Sequence, residues 1–269
     1  MKLRIATWNI NSVRRRLDLV ARFAAESKVD VLCLQEIKVH DDAFPLKALK
    51  DMGFKHHAIY GQKAYHGVAI FSKAKAPLGE ITRRTWCEID EARHLSCTLP
   101  GGIELHNFYV PAGGDDPDPE ANAKFAHKLQ FMQEVTDWFA DRQHNDNRMV
   151  LVGDLNVAPL ETDVWSHKQL LKVVSHTPVE VEHMQRWMQS HDWIDAVRRF
   201  IPPEEKLYSW WSYRSKDWSN ADKGRRLDHV WVTPALQDGL KKASVMRDAR
   251  GWEAASDHCP VIVDLDVPA

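Results

Sequence analysis

Apolar segments of strand length recur along this chain, and most of them end or begin in a cluster of polar side chains. Residues 3–8 alternate as a strand does and run into Asn9 and Asn11. Residues 31–35 read as a buried strand and run into Glu36, residues 68–72 as another, and residues 103–110 carry Tyr109 near their end. Residues 149–152 run into Gly153-Asp154-Leu155-Asn156, a strand at 228–233 opens on Asp228, and one at 261–265 follows Ser256-Asp257-His258. Between these segments the spacing changes to that of helices. Val13, Leu17, Val20 and Ala24 follow Ser12, which is available as an N-cap, and Phe125, Leu129, Met132, Val135 and Phe139 form the stripe of a long amphipathic helix. Strands interleaved with helices give an α/β class. The segment at 103–110 comes without an intervening helix, which predicts partly antiparallel pairing and argues against a simple Rossmann alternation.

With 269 residues and 44% apolar content, the chain can bury a substantial core, and nothing in it marks a linker or a repeat, so residues 1–269 read as one domain. Lys and Arg number 36 against 38 Asp and Glu, a formal charge of -2, which excludes a protein that coats nucleic acid through bulk charge but allows a local basic groove. No apolar run approaches the ~20 residues that span a bilayer. The expectation is a soluble cytoplasmic enzyme that meets no membrane, with monomer as the default state. Cys33, Cys87, Cys97 and Cys259 lie far apart and read as buried reduced thiols rather than zinc ligands or disulfides.

An asparagine at a strand end is usually a turn former, and Glu36 followed by Lys38 could be a solvated pair. Together, however, the strand ends supply carboxylates, amides, a phenol and an imidazole, the set that phosphodiester hydrolysis requires. Oxygen ligands suit a hard cation, and Mg²⁺ takes one or two carboxylates from a protein, here Glu36 and Asp257. Asp154 suits the base that orients or deprotonates a water. Asn156, His258 and Tyr109 are the groups to face the phosphate oxygens, and Asp228 would hold the imidazole.

Eight blocks carry a resemblance to a known family: TWNINSVR (7–14), LCLQEIK (32–38), YHGVAIFSK (65–73), NFYVPAGG (107–114), GDLNVAP (153–159), YSWWSYRS (208–215), RRLDHVWVT (225–233) and SDHCPV (256–261). The chain resembles, over essentially its whole length, the exonuclease III type of apurinic/apyrimidinic endonuclease within the endonuclease/exonuclease/phosphatase superfamily. The resemblance implies a four-layered α/β/β/α sandwich of two packed mixed β-sheets. It implies a metal site surrounded by Asn9, Glu36, Asp154, Asn156 and Asp257, completed for catalysis by Tyr109, Asp228 and His258. The implied cofactor is Mg²⁺, with Mn²⁺ as a substitute. The implied partner is duplex DNA with abasic sites or 3′ ends, cut 5′ to the lesion or trimmed of nucleotides and blocking groups, which would make the protein nucleoid-associated by function. In relatives three apolar side chains hold an extruded abasic sugar. They correspond here to Trp210, Leu227 and Arg225, so an arginine stands where a bulky apolar residue is usual.

Further substrate contacts are expected at Asn11 and Trp218, and at Lys124 and Lys128, one helical turn apart. Arg214, Lys216, Lys223 and Arg226 interleave with the tryptophans of the same region. Two other readings stay open on the residues alone: a hydrolase of inositol phosphates or sphingomyelin on the same core, and a DNA-binding module that has lost catalysis.

Overall fold

The computed structural model describes residues 1–144 and 146–267. In chain order its strands are β1 (Lys2–Asn9), β2 (Val31–Gln35), β3 (Phe54–Tyr60), β4 (Val68–Lys73), β5 (Ile81–Arg83), β6 (His94–Leu99), β7 (Ile103–Tyr109), β8 (Met149–Asp154), β9 (Ile194–Asp195), β10 (Trp210–Trp211), β11 (Gly224–Arg225), β12 (Asp228–Val232), β13 (Leu240–Val245) and β14 (Val261–Asp266). One six-stranded sheet runs β13-β14-β1-β2-β4-β3 and the other β5-β6-β7-β8-β12-β9, while β10 and β11 form a separate two-stranded ribbon. Both large sheets are mixed. The pairs β1–β2 and β7–β8 are parallel, whereas β6–β7 and β8–β12 are antiparallel, as the missing helix before residue 103 predicts.

Period-two alternation builds the layers. Ile5, Val31, Cys33 and Ile70 of one sheet meet Leu105, Val150, Val152 and Val230 of the other in the central core. On the outer face of the first sheet, Trp8, Leu34 and Phe71 pack with Val20 and Phe23 of helix α1 (Leu17–Ser27). The short α2 (Leu46–Asp51) joins that outer layer through Leu49, α4 (His167–Leu170) packs in a small separate cluster, and two longer helices, α3 (Ala123–Ala140) and α5 (Pro178–Gln189), cover the second sheet. There Phe108, Leu151 and Trp231 meet Phe131, Met132, Val135, Met184 and Trp187. The result is the helix–sheet–sheet–helix sandwich expected. All four cysteines are free and buried.

Ser12 does not cap a helix. Its φ of 82° and uncapped side chain place it ahead of a 3-10 turn, Val13–Arg15, and α1 begins only at Leu17. The backbone N–H of Ser12 donates instead to the carbonyl of Glu36, tying the end of β1 to the end of β2.

At one rim the inter-sheet face turns from aliphatic to polar, and the same alternation explains why. On β1, Ile5 is followed on its face by Thr7 and Asn9; on β2, Cys33 by Gln35; on β7, Leu105 by Asn107 and Tyr109; on β8, Val152 by Asp154; on β12, Val230 is preceded by Asp228. Gln35 Nε2 donates to Thr7 Oγ1 at 2.8 Å and to Asn107 Oδ1 at 2.7 Å. Asn107 Nδ2 in turn donates to the carbonyls of Leu34 and Ala69, so side-chain amides stitch the two sheets together beneath the rim. Gly153 lets β8 lie close to β7: a Cβ there would sit 2.0 Å from the Phe108 carbonyl oxygen, and its φ is +146°.

Candidate active site

The polar rim opens into a cleft of about 840 Å³ whose lining includes Glu36, Tyr109, Asp154, Asn156, Asp257 and His258. Trp165, Val173, Val174, Trp210 and Leu227 form an apolar wall, and Arg214, Lys223 and Arg225 supply positive charge. Asn9 sits beneath, with Nδ2 donating to Glu36 Oε1 and to Asp154 Oδ2, both at 2.9 Å. Both amide hydrogens are thus committed, and Asn9 fixes two carboxylates relative to each other. Tyr109 donates its hydroxyl to the same Glu36 Oε1 at 2.9 Å, and burial together with Glu36 and Asp154 raises the phenol well above its usual range.

His258 lies between two aspartates. Nδ1 meets Asp228 Oδ2 at 2.8 Å, and Nε2 lies 3.7 Å from Asp154 Oδ2. Burial disfavours the imidazolium, yet Asp228 and Asp154 outweigh it and raise His258 to about 10. His258 is therefore the imidazolium at neutral pH, and its Nδ1 donates to Asp228. Ser209 Oγ donates to the same Asp228 oxygen at 2.7 Å and accepts from the N–H groups of Leu227 and Asp228. Burial and the neighbouring carboxylates push Asp154 up to about 7, against the pull of His258 and Asn9. Asp257 is held below its ordinary value: burial opposes its charge, but His258 and donors from Trp210 Nε1 (3.0 Å) and Asn11 Nδ2 (3.1 Å) favour it.

Four of these positions carry backbone that L-residues adopt at a cost: φ is 46° at Asn11, 49° at Glu36, 54° at Lys38 and 54° at Asn156. At Asn156 the turn is locked by its own N–H donating to Asp154 Oδ1 and by Nδ2 donating to the Val110 carbonyl at 2.8 Å. Lys38 Nζ reaches Glu36 Oε2 at 2.8 Å and Asn11 Oδ1 at 2.7 Å.

Asp154, Asp228 and His258 bring three potential ligand atoms within 4.8 Å of one another, close enough to hold a metal. His258 and Asp228 are already bonded to each other, and an imidazolium has no lone pair to offer. The donors that face the cleft are then the carboxylates of Glu36, Asp154 and Asp257. An all-oxygen set without sulfur fits a hard divalent cation.

A profile of the Endonuclease/Exonuclease/phosphatase family matches residues 6–258. The chain belongs to this family. Over 268 residues it is 28% identical to exodeoxyribonuclease III of Haemophilus influenzae, covering 96% of this chain and 98% of that protein. Among solved structures it superposes on an AP endonuclease from Archaeoglobus fulgidus with a TM-score of 0.90 at 30% identity, covering 98% of this chain and 100% of that one. A 3′ phosphatase from Neisseria bound to a product DNA hairpin gives 0.89 at 31% identity, with 98% and 99% covered. The family's hydrolytic class matches the chemistry read from the strand ends. No helix among the described residues is long and apolar enough to cross a membrane.

Some expected substrate contacts of this family member lie elsewhere. Lys128 is not available to DNA: it is fully buried, paired with Glu180, and donates to the Asn156 carbonyl at 2.8 Å. Its stem emerges from the inward face of α3, one turn after Lys124, which is exposed but outside the residues lining the cleft. Trp218 opens the short helix α6 (Trp218–Ala221) and packs on Trp211 at 5.4 Å in a separate cluster. Arg226 is buried in ion pairs with Asp163 and Asp195. Arg225 does flank the cleft, but its Nη1 donates to the Val174 carbonyl (2.9 Å) and Ser175 Oγ (2.8 Å) rather than reaching outward, and its guanidinium lies 5.3 Å from the Trp210 ring. Sequence reasoning missed Thr7, Asn107 and Ser209. A polar residue two positions before Asn9 or Tyr109 on an otherwise apolar strand is a usable signal for the first two; Ser209 lies in a loop and offers none.

Proposed function

We propose that the chain is a Mg²⁺-dependent DNA-repair phosphodiesterase that incises 5′ to abasic sites and removes nucleotides or blocking groups from the 3′ ends of duplex DNA, acting as a monomer. The observation that carries this reading is the placement of His258: a cation fixed by Asp228, adjoining Asp154, in a cleft that is also lined by aromatic and basic side chains. Relatives named for exonuclease and AP endonuclease activities support the same substrate.

In this reading Glu36 and Asp257 hold the cation, with Asp154 beside them. When bound, Mg²⁺, or Mn²⁺ in its place, polarises the phosphoryl oxygen and steadies the leaving alkoxide. Asp154 orients the attacking water and accepts its proton. His258 donates from Nε2 to a phosphoryl oxygen as negative charge grows there, and the free N–H of the Asn156 amide does the same. Tyr109 and Asn9 hold Glu36 in place, and Asn11 and Trp210 do so for Asp257. Trp210 and Leu227 present apolar surface to a sugar.

A product profile on one duplex with an abasic site and one with a recessed 3′ end, with Mg²⁺ and then with EDTA, tests the proposal. Metal-dependent incision 5′ to the lesion and 3′ trimming are expected. Binding without cleavage in Mg²⁺ would instead identify a DNA-binding module, and turnover of inositol phosphates or sphingomyelin but not DNA would overturn the substrate.

A further inference from the structure

Beside the cleft lies a second cavity of about 320 Å³, lined by Arg15, Arg16, Tyr213, Arg250 and Trp252 with two alanines. No carboxylate lines it. Arg16 and Arg250 each retain only 8% exposure. Arg198 and Arg226, similarly enclosed, pair with Asp163, but neither Arg16 nor Arg250 meets a carboxylate among the described residues. Arg16 spends its donors on neutral oxygens: the carbonyls of Ala254, Ile10 and Asn11, and the Tyr213 hydroxyl at 2.8 Å. Arg250 donates Nε to the Trp211 carbonyl at 3.3 Å, and its guanidinium lies 5.2 Å from the Tyr213 ring and 5.4 Å from the Trp218 ring. Its terminal nitrogens have no protein partner among the described residues. Carbonyls satisfy hydrogen bonds but leave the charge uncompensated, and two guanidinium groups beside one cavity that no carboxylate lines offer their charge to an anion there.

We propose that this cavity is a phosphate-binding subsite that takes a backbone phosphate of the DNA strand, one that is not the scissile phosphate. The proposal rests on the DNA reading above. A guanidinium suits a phosphate because its N–H groups match two oxygens at once. The cavity is joined to the active site through a single loop. Tyr213, 48% exposed, stands on the cavity side, while its neighbours Ser212 and Arg214 line the cleft. Asn11 Nδ2 lies 3.4 Å from the Tyr213 hydroxyl and donates to Asp257, so the two sites are one side chain apart. A strand lying in the cleft and crossing that loop brings its next phosphates to Arg250 and to the exposed Arg15.

The test uses fluorescence anisotropy in EDTA, so that binding is read without turnover, on a 3′-recessed duplex carrying a single neutral methylphosphonate at successive linkages. In the wild-type protein, one linkage other than the scissile one should weaken binding about tenfold, the size of one charge-assisted hydrogen bond. Arg250→Gln should lose that sensitivity and lower the slope of log affinity against log salt by about 1. Arg15→Gln, at an exposed position, should lower the slope in the same way even if the Arg250 variant does not fold. If wild type binds DNA and both variants keep its slope and methylphosphonate pattern, the subsite is wrong. A wild-type protein that binds no DNA removes the functional reading and the subsite with it. Inorganic phosphate that quenches wild-type but not Arg250→Gln tryptophan fluorescence, with the methylphosphonate pattern unchanged between them, would mean a free-phosphate site and overturn the assignment to the strand.

Discussion

The charges of Asp154 and His258 set the pH window of the proposed reaction. Asp154 must be ionised to accept a proton, and His258 must be protonated to donate, so kcat/KM should rise with pH through the Asp154 pKa and fall as pH passes about 10, where His258 loses its proton. Without a cation, burial holds Asp154 near 7. A neighbouring divalent cation favours the carboxylate, so raising Mg²⁺ should move the acid limb to lower pH; a limb that stays fixed would place Asp154 away from the metal. Glu36→Gln should weaken the metal and recover part of its activity at high Mg²⁺, because an amide oxygen lacks the charge that offsets dehydration. A defect equal at every Mg²⁺ concentration would strike Glu36 from the ligands. Arg225→Trp releases the tie to Val174 and Ser175 and restores an apolar wall beside Trp210 and Leu227, so it should raise the ratio of kcat/KM on abasic over intact duplex. Equal ratios in Arg225→Trp and wild type would exclude Arg225 from discrimination. Glu36, Asp154 and His258 were legible because each lies next to a strand end, whereas Arg225 was legible only through the resemblance to the family. The orientation of the Arg225 guanidinium was not, since it depends on a carbonyl and a hydroxyl supplied by residues 174 and 175, far away in the chain.

Elements with a continuous apolar inner face, such as β2 and β8, are plain in the sequence, whereas β3 and β13 are not. β3 carries Lys55, His56 and His57, and β13 is an edge strand with Lys241 and Lys242 exposed, so neither alternates cleanly; pairing with β4 and β14 defines them. Helix α3 was visible from its stripe, but the stripe hid the inward position of Lys128. Lys128 and Glu180 join α3 to α5 through a fully enclosed ion pair, and Glu180 also accepts from the N–H groups of Ser175 and Thr177. Lys128→Met should therefore cost about 3–5 kcal/mol in chemical denaturation, by leaving a buried carboxylate without its cation. The salt dependence of DNA affinity should not change. A stable variant with a reduced salt slope would return Lys128 to the DNA surface.

On the scale of the whole molecule, the order of strands in the first sheet decides when an active enzyme can exist. β1 lies in its interior, held on one side by β2 and on the other by β14, with Ile5 opposite Val263. Asn9 leaves one end of that pairing, while Asp257 and His258 immediately precede the other partner. Contacts so distant along the chain form late, because a large loop must close before they are rewarded. A nascent chain still short of β14 has an open edge at β1 and lacks both the Asp257 carboxylate and the imidazole. The proposed catalytic centre is thus assembled only once β14 has docked, so a partly synthesised copy short of β14 would lack the activity proposed for the folded chain.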